Sequence, residues 1–356
     1  MQHAGKQPLK RNGITTIEVM IVIVLCVVLL TLLIPAVSQS QEQSRRVQCA
    51  NQLRNLAIGL QRFAETHGRF PASGTFLHDE NLSPQPHQTW AVAVLPFIDQ
   101  ENLFSEFDPA KPLTDPSNER AASRHVPVFL CPSDISRSRK RTSDLSYAVN
   151  GGMGYTIRSV DGVRDCPTSP ERTLLDLNGD SVACSGEASI DNEDRRLFKM
   201  LGLFFLETVN TDVTKRHHSL DSIVDGYSNT FLIAENVRTG HNPGSSRGGF
   251  ADPAPKRCAF YIACPCPNAS CSQGSVDYST VNSGSMRINA GLWEPEGKSP
   301  IPNSFHHGGV NMAYADGRVS FLSETVDGAI YAALTSPQGI QLDGTVLRQV
   351  IVSEEF

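Results

Sequence analysis

Oxygen and sulfur ligands are the residue types in this chain best placed to do chemistry. Asp176, Asn178, Asp180 and Glu187 stand at positions 1, 3, 5 and 12 of a calcium-loop frame, and oxygen donors at that spacing suit Ca²⁺. Position 6 of the frame is Ser181 rather than glycine, Cys184 lies inside it, and no flanking pair of helices is evident. A solvated, Asx-rich loop is therefore the competing reading. Cys258, Cys264, Cys266 and Cys271 form a C-x5-C-x-C-x4-C cluster. Two local disulfides stapling a loop would use all four sulfurs; a zinc site would lack its usual paired C-x2-C knuckles. Cys26 lies in an apolar stretch as a filler. The remaining eight (Cys49, Cys131, Cys166, Cys184 and those four) are disulfide candidates whose connectivity the sequence leaves open.

Nine residues separate His306 from Asp316-Gly317. A catalytic histidine needs an oriented carboxylate and a nucleophile. His306 and Asp316 flank a predicted strand and so fall at its opposite ends, which argues against a dyad. The structural reading has His306 hydrogen-bonding a loop, Gly308 and Gly309 permitting a tight turn, and Asp316-Gly317 making a hairpin; the functional reading makes the segment a processing or assembly surface. His217-His218 has no ligand spacing, and Asp191-Asn192-Glu193-Asp194 reads as a solvated face offset by Arg195 and Arg196. No phosphate loop and no HExxH zinc motif occurs. No enzymatic activity is expected.

The elements that position these residues begin with charge. The chain has 356 residues and a net charge of −6, which argues against a nucleic-acid partner. Its start is basic, with Lys6, Lys10 and Arg11 and no acid before Ile14. Ile14 to Val37 carries Glu18 as its only charge; as helix it would cover roughly 36 Å, enough for a bilayer. The basic leader should stay in the cytoplasm and the rest should face outward. A signal peptide cut after Ser38 is the alternative, but a carboxylate inside an apolar span needs a partner or a function. Beyond Val37 a helix should continue through a stripe of Val47, Leu53, Leu56, Ile58, Leu60 and Phe63 to a stop at Gly68.

Past Gly68, short apolar runs alternate with turn residues: 91–98, 126–131, 231–235, 310–315 and 318–322. They predict an antiparallel sheet with long loops. Residues 310–322 read as a hairpin with a two-residue type I′ turn at Asp316-Gly317. Ser323 reads as the cap of a following helix, and 222–235 as a weaker hairpin turning at Asp225-Gly226.

Two resemblances follow. Lys10-Arg11-Asn12-Gly13 followed by Ile14-Thr15-Thr16-Ile17-Glu18 resembles the type IV prepilin cleavage and methylation site. The resemblance implies a cut between Gly13 and Ile14 by a prepilin peptidase, N-methylation of Ile14, and Glu18 neutralised by a neighbouring subunit's amine. Pro35 matches a kink position of pilins; Ile14 departs from the usual Phe, and Thr16 and Thr31 interrupt the aliphatic run. The segments 45–71, 95–104, 129–134, 146–152, 224–235 and 304–327, in that order, resemble the bacterial family called domain of unknown function 1559. That family joins a prepilin-type start to a C-terminal H-X9-DG motif, here His306 with Gly308, Gly309, Asp316 and Gly317. Residues 153–220 and 239–300 match less well and read as insertions. Cys49 and Cys131 fall inside the matching blocks, and their pairing would tie helix to sheet.

The expectation is an α+β, pilin-like chain: a leader over 1–13, a membrane-anchoring helix over 14–68, and a β-rich head over 69–356. It would sit in the inner membrane, with the N-terminus cytoplasmic and the head periplasmic or at the cell surface. Its role would be that of a pseudopilin-like subunit, forming homo- or hetero-oligomers through the N-terminal helix. The alternative is a tethered ligand-binding module without a filament. No cofactor is expected beyond the calcium reading.

Overall fold

The computed structural model describes residues 15–78, 84–135, 144–153, 177–178, 184–185, 189–190, 192–209, 218–239, 249–266, 271–295 and 297–349. The chain divides into two units, Met1–Arg45 and Arg46–Phe356. Helix α1 (Thr16–His67) belongs to both.

In the first unit α1 opens on its own carboxylate. Glu18 accepts from the backbone N–H of Thr15 at 2.8 Å and from its hydroxyl at 2.9 Å, satisfying groups that a helix start leaves unpaired. Apolar side chains from Ile17 to Leu29 are exposed on every face. Among the described residues no helix is long and apolar enough to cross a membrane. The side chains of 30 and 32–39, at the C-terminal end of the expected span, lie outside those described. Gly13 and Ile14 also lie outside the described residues.

In the second unit the buried face of α1 is Cys49, Leu53, Leu56, Ala57, Leu60, Phe63 and Ala64, the three-and-four spacing of one helical stripe. Val47, expected in that stripe, is 59% exposed; it lies two residues before Cys49, which a helix turns to a different face. Gly68 ends the helix with φ of +68°, the left-handed cap a glycine supplies without strain.

The strands are β1 (Gly74–His78), β2 (Pro84–Thr89), β3 (Tyr147–Met153), β4 (Cys184–Ser185), β5 (Ser189–Ile190), β6 (Leu206–Thr208), β7 (Phe231–Glu235), β8 (Ala259–Ile262), β9 (Gly309–Tyr314) and β10 (Val319–Ser323). Further helices are α2 (Trp90–Val94), α3 (Glu101–Phe104), α4 (Pro116–Ala122), α5 (Asn192–Met200), α6 (Pro255–Cys258) and α7 (Gly328–Thr335). The main sheet runs β10-β9-β7-β3-β8 and is antiparallel except for the β3–β8 pair. A second sheet runs β2-β1-β6, with β1–β2 antiparallel and β1–β6 parallel. The class is therefore α+β, rich in antiparallel pairs. Both faces of the main sheet are covered. Tyr147, Val149, Leu232 and Ala313 point into a core with α1, Trp90 and Phe129; Ala148, Phe231, Met312 and Leu322 point into another with Tyr331.

Several expected strands and turns take other forms. Residues 91–98 and 126–131 fold as α2 and short 3-10 turns; Pro96 and Pro127 have no N–H for a ladder. The β9–β10 hairpin forms, with Val319 opposite Ala313. Its loop is three residues: the N–H of Tyr314 donates to Arg318 O, and that of Gly317 to Tyr314 O. Gly317 alone takes positive φ, at +84°, so this is a turn with a left-handed glycine instead of type I′. Asp327, not Ser323, caps α7 by accepting from the N–H groups of Ala329 and Ile330; the Ser323 hydroxyl accepts from Thr325 N–H instead. Leu220–Ser222 is a 3-10 turn and no strand begins before Phe231 in this segment, so 222–235 is no hairpin; the Asp225 carboxylate accepts from Gly339 N–H at 2.6 Å and Ile340 N–H at 3.1 Å.

Candidate functional site

The H-X9-DG motif clamps both ends of β9 to the second-unit part of α1. At the DG end the Gln61 side-chain amide of α1 donates to Ala315 O at 2.5 Å, within the β9–β10 turn. A Cβ on Gly317 would stand 3.5 Å from the Gln61 side-chain oxygen. Asp316 accepts from Arg318 N–H at 2.8 Å, which fixes the turn locally.

The histidine end is buried. The Ser304 hydroxyl donates to Gly309 O at 2.8 Å and accepts from His306 N–H at 3.1 Å. Gly308 takes φ of +82° there, and a Cβ on Gly309 would run into the Leu322 carbonyl. This loop turns His306 inward, where it is 3% exposed. Its Nε2 lies 3.3 Å from Oε1 of Glu235, which is fully buried at the end of β7. Asn311 of β9 holds the same carboxylate twice, its N–H donating to Oε2 and its side-chain amide to Oε1, both at 2.8 Å.

A disulfide completes the cluster. Cys49 of α1 and Cys131 are bonded, with Cα atoms 4.9 Å apart. Cys131 Sγ stands 3.7 Å from His306 Nε2 and 4.0 Å from Glu235 Oε1. The donor atoms of Cys49, Cys131, Glu235 and His306 all lie within 4.8 Å of one another, and all four residues are buried. Tyr147 of β3 donates its hydroxyl to Gln52 Oε1 at 2.9 Å and to Cys49 O at 3.3 Å. Burial pushes that hydroxyl well above the usual tyrosine range, and the nearby Glu235 and Asp134 carboxylates add to the shift. It stays a neutral donor joining sheet to helix.

His306 makes the expected loop contact through its backbone N–H on the Ser304 hydroxyl, and its ring adds a strand carboxylate, Glu235. Asp316 lies at the far end of β9, so the two motif residues form no dyad. Glu235 was missed because it ends an apolar strand, Phe231–Glu235, whose side chains are all buried. The usable signal was a charge inside such a run, since a buried carboxylate must be partnered.

The other sulfurs divide differently from the expectation. Cys266 and Cys271 are bonded to each other, and Cys264 Sγ lies 3.9 Å from Cys271 Sγ. Burial pushes the Cys264 thiol up to about 11. Cys258 does not join them. It ends α6 in the core beneath α1, its thiol donating to Pro253 O and Ala254 O. One local disulfide therefore replaces the expected two, because α6 and β8 turn Cys258 away from the loop. Cys166 lies outside the described residues, as does the side chain of Cys184.

Asp176, Asp180 and Glu187 of the calcium frame lie outside the described residues. The N–H groups of Leu177 and Asn178 donate to Asp194 Oδ1, at 2.7 and 3.1 Å. Asp194 is 1% exposed, so it leaves the expected solvated face, while Glu193 keeps it and pairs with Arg196 at 2.5 Å; Asp191 and the side chains of Asn192 and Arg195 lie outside those described. His218 is a satisfied core residue, with Nδ1 2.7 Å from Ser222 Oγ and Nε2 2.8 Å from Lys199 O. Residues 244–248 have the G-x-S-x-G spacing but lie outside the described residues.

One cleft was not legible in the sequence. It measures about 430 Å³ and is lined by Phe63, Arg69, His87, Phe97, Phe104 and Glu207 among others. Arg69 and Glu207 pair across 3.4 Å. His87 Nε2–H donates to Pro109 O at 3.1 Å while Nδ1 accepts from the Thr75 hydroxyl at 2.9 Å. Burial lowers the His87 pKa from 6.5. The folded state therefore resists a proton that the unfolded chain accepts. Stability held above pH 6.5 should fall as pH drops from that value toward the lower folded pKa. Urea titrations at pH 7.5 and about 5.5 should show a smaller pH loss in His87→Gln than in the parent; an equal loss would sink the assignment.

A family model described as a protein of unknown function (DUF1559) matches residues 38–329. No curated protein and no solved structure matches.

Proposed function

The chain belongs to the DUF1559 family, and from that premise we propose that it is a membrane-anchored, extracytoplasmic structural subunit of the prepilin kind. One observation carries the reading. Between Ile17 and Leu29 α1 exposes Ile17, Val19, Val22, Ile23, Leu25 and Val27 around its whole circumference, with Glu18 as the one charge in that stretch. A helix apolar all round requires lipid or other apolar helices as its surroundings.

In this reading Lys6, Lys10 and Arg11 hold the leader in the cytoplasm, a prepilin peptidase cuts between Gly13 and Ile14, and the new amine is methylated. The span then lies in the inner membrane with the second unit outside, where disulfides persist. Glu18 pairs with the N-terminal amine of a neighbouring like or related subunit, which removes the cost of an isolated carboxylate in lipid. The clamp at both ends of β9 supports this role, since it anchors the sheet to the helix through which subunits would pack.

Mass spectrometry of the N-terminal peptide from native membranes should find N-methylated Ile14. A start at Gln39 or an intact Met1 would overturn the reading. Glu18→Ala should still insert but lose most of the chemically cross-linked multimers seen for the parent in the same membranes. The cleft beside Phe97 favours a second reading, a tethered ligand-binding module; under it Glu18→Ala would leave ligand binding unchanged.

A further inference from the structure

We propose that Cys49, Cys131, His306 and Glu235 form a zinc site when their disulfide is reduced, so that the same four residues hold either a disulfide or a metal. The donor atoms all lie within 4.8 Å of one another, and three of the pairs stand close to the required spacing. Tetrahedral zinc, with bonds of about 2.3 Å to sulfur and about 2.0–2.1 Å to nitrogen or oxygen, sets ligand pairs roughly 3.3–3.8 Å apart. Here His306 Nε2 to Glu235 Oε1 is 3.3 Å, Cys131 Sγ to Nε2 is 3.7 Å and Cys131 Sγ to Oε1 is 4.0 Å. Reduction lets the two sulfurs separate to about 3.8 Å, with Cys49 Sγ within 4.8 Å of the other donors.

The surroundings suit a closed metal site. The four ligands come from α1, the segment after the 127–129 turn, the end of β7 and the loop before β9, so folding alone brings them together. None is more than 3% exposed. Asn311 holds the carboxylate by both its oxygens, the outer-shell support that metal ligands usually carry. Charge is conserved as well. A dithiol reductant gives two electrons and two protons to the Cys49–Cys131 bond, becoming a disulfide itself, and leaves two thiols. Zn²⁺ then displaces both thiol protons to solvent. Two positive charges enter and two leave, so the buried cluster keeps the formal charge of the Glu235 carboxylate.

The second sulfur group, Cys264, Cys266 and Cys271, would also attract metal on reduction. The test therefore uses the full-length chain in detergent with Cys266→Ser and Cys271→Ser, folded by circular dichroism. Zinc is added before anaerobic reduction with a phosphine, and the excess is removed. We expect tightly bound zinc only after reduction. Its X-ray absorption spectrum should show two sulfurs and at least one imidazole. Asn311→Ala should weaken binding about 10- to 100-fold, and His306→Ala more than that. Co²⁺ in place of zinc should give tetrahedral visible bands that His306→Ala abolishes. Zinc bound equally by the oxidised chain, a sulfur count of three or four, or a chain that unfolds on reduction despite zinc would each overturn the proposal.

Discussion

Cys131→Ala should destabilise the oxidised chain by about 3–4.5 kcal/mol, the larger loss of the two disulfides among the described residues. The bond closes a loop of 82 residues in sequence, and chain entropy for a loop of that size comes to about 4.5 kcal/mol at 25 °C. Both sulfurs are fully buried in the core beneath α1, so alanine adds a small cavity and leaves no polar group behind. The Cys266–Cys271 bond closes only 5 residues, so Cys271→Ala should cost about 2 kcal/mol by the same relation. Urea unfolding of the full chain in detergent, followed by fluorescence, measures both: Trp90 is fully buried in the same core, whereas Trp293 is 78% exposed. A loss below about 1 kcal/mol for Cys131→Ala, or one no larger than for Cys271→Ala, would mean that the long-range bond contributes little constraint.

How much of this was legible in the sequence depends on how local the governing physics is. The buried stripe of α1, its stop at Gly68 and the β9–β10 hairpin each follow from spacing within a dozen residues, and they were read nearly correctly. The hairpin loop was misjudged by one residue because Asp-Gly fits both a two-residue turn and a left-handed glycine after a turn; only the register of Val319 against Ala313 decides. Residues 91–98 were misread because a short apolar run has no periodicity to separate strand from buried helix. The Cys49–Cys131 pairing was reached through family resemblance, and no spacing rule could supply it. Glu235 was invisible for a related reason: its partners His306 and Asn311 lie 71 and 76 residues along the chain. Only the strand order β9-β7-β3 brings them beside it.

Glu235→Ala should cost about 3–5 kcal/mol, the range for breaking a buried pair by removing one partner. Oε2 accepts from Asn311 N–H, while Oε1 accepts from the Asn311 amide and faces His306 Nε2. Alanine leaves these groups buried and without that acceptor, at about 1–3 kcal/mol for each one unsatisfied. Glu235→Gln separates two accounts of the same geometry. If His306 is neutral, its Nε2 becomes an acceptor by a change of tautomer, the new amide donates to it, and Asn311 reverses its side chain to present Oδ1. The three groups that faced the carboxylate then each keep a hydrogen bond to the new amide, and the loss should stay near 1 kcal/mol. If His306 is protonated, the glutamine faces a buried imidazolium with no counter-charge, and the loss should approach that of alanine. The clamp reading expects the first result, because the motif histidine then acts as an uncharged strut between β7 and β9. Equal losses for Glu235→Gln and Glu235→Ala at pH 7.5, measured by urea unfolding, would replace it with a buried ion pair.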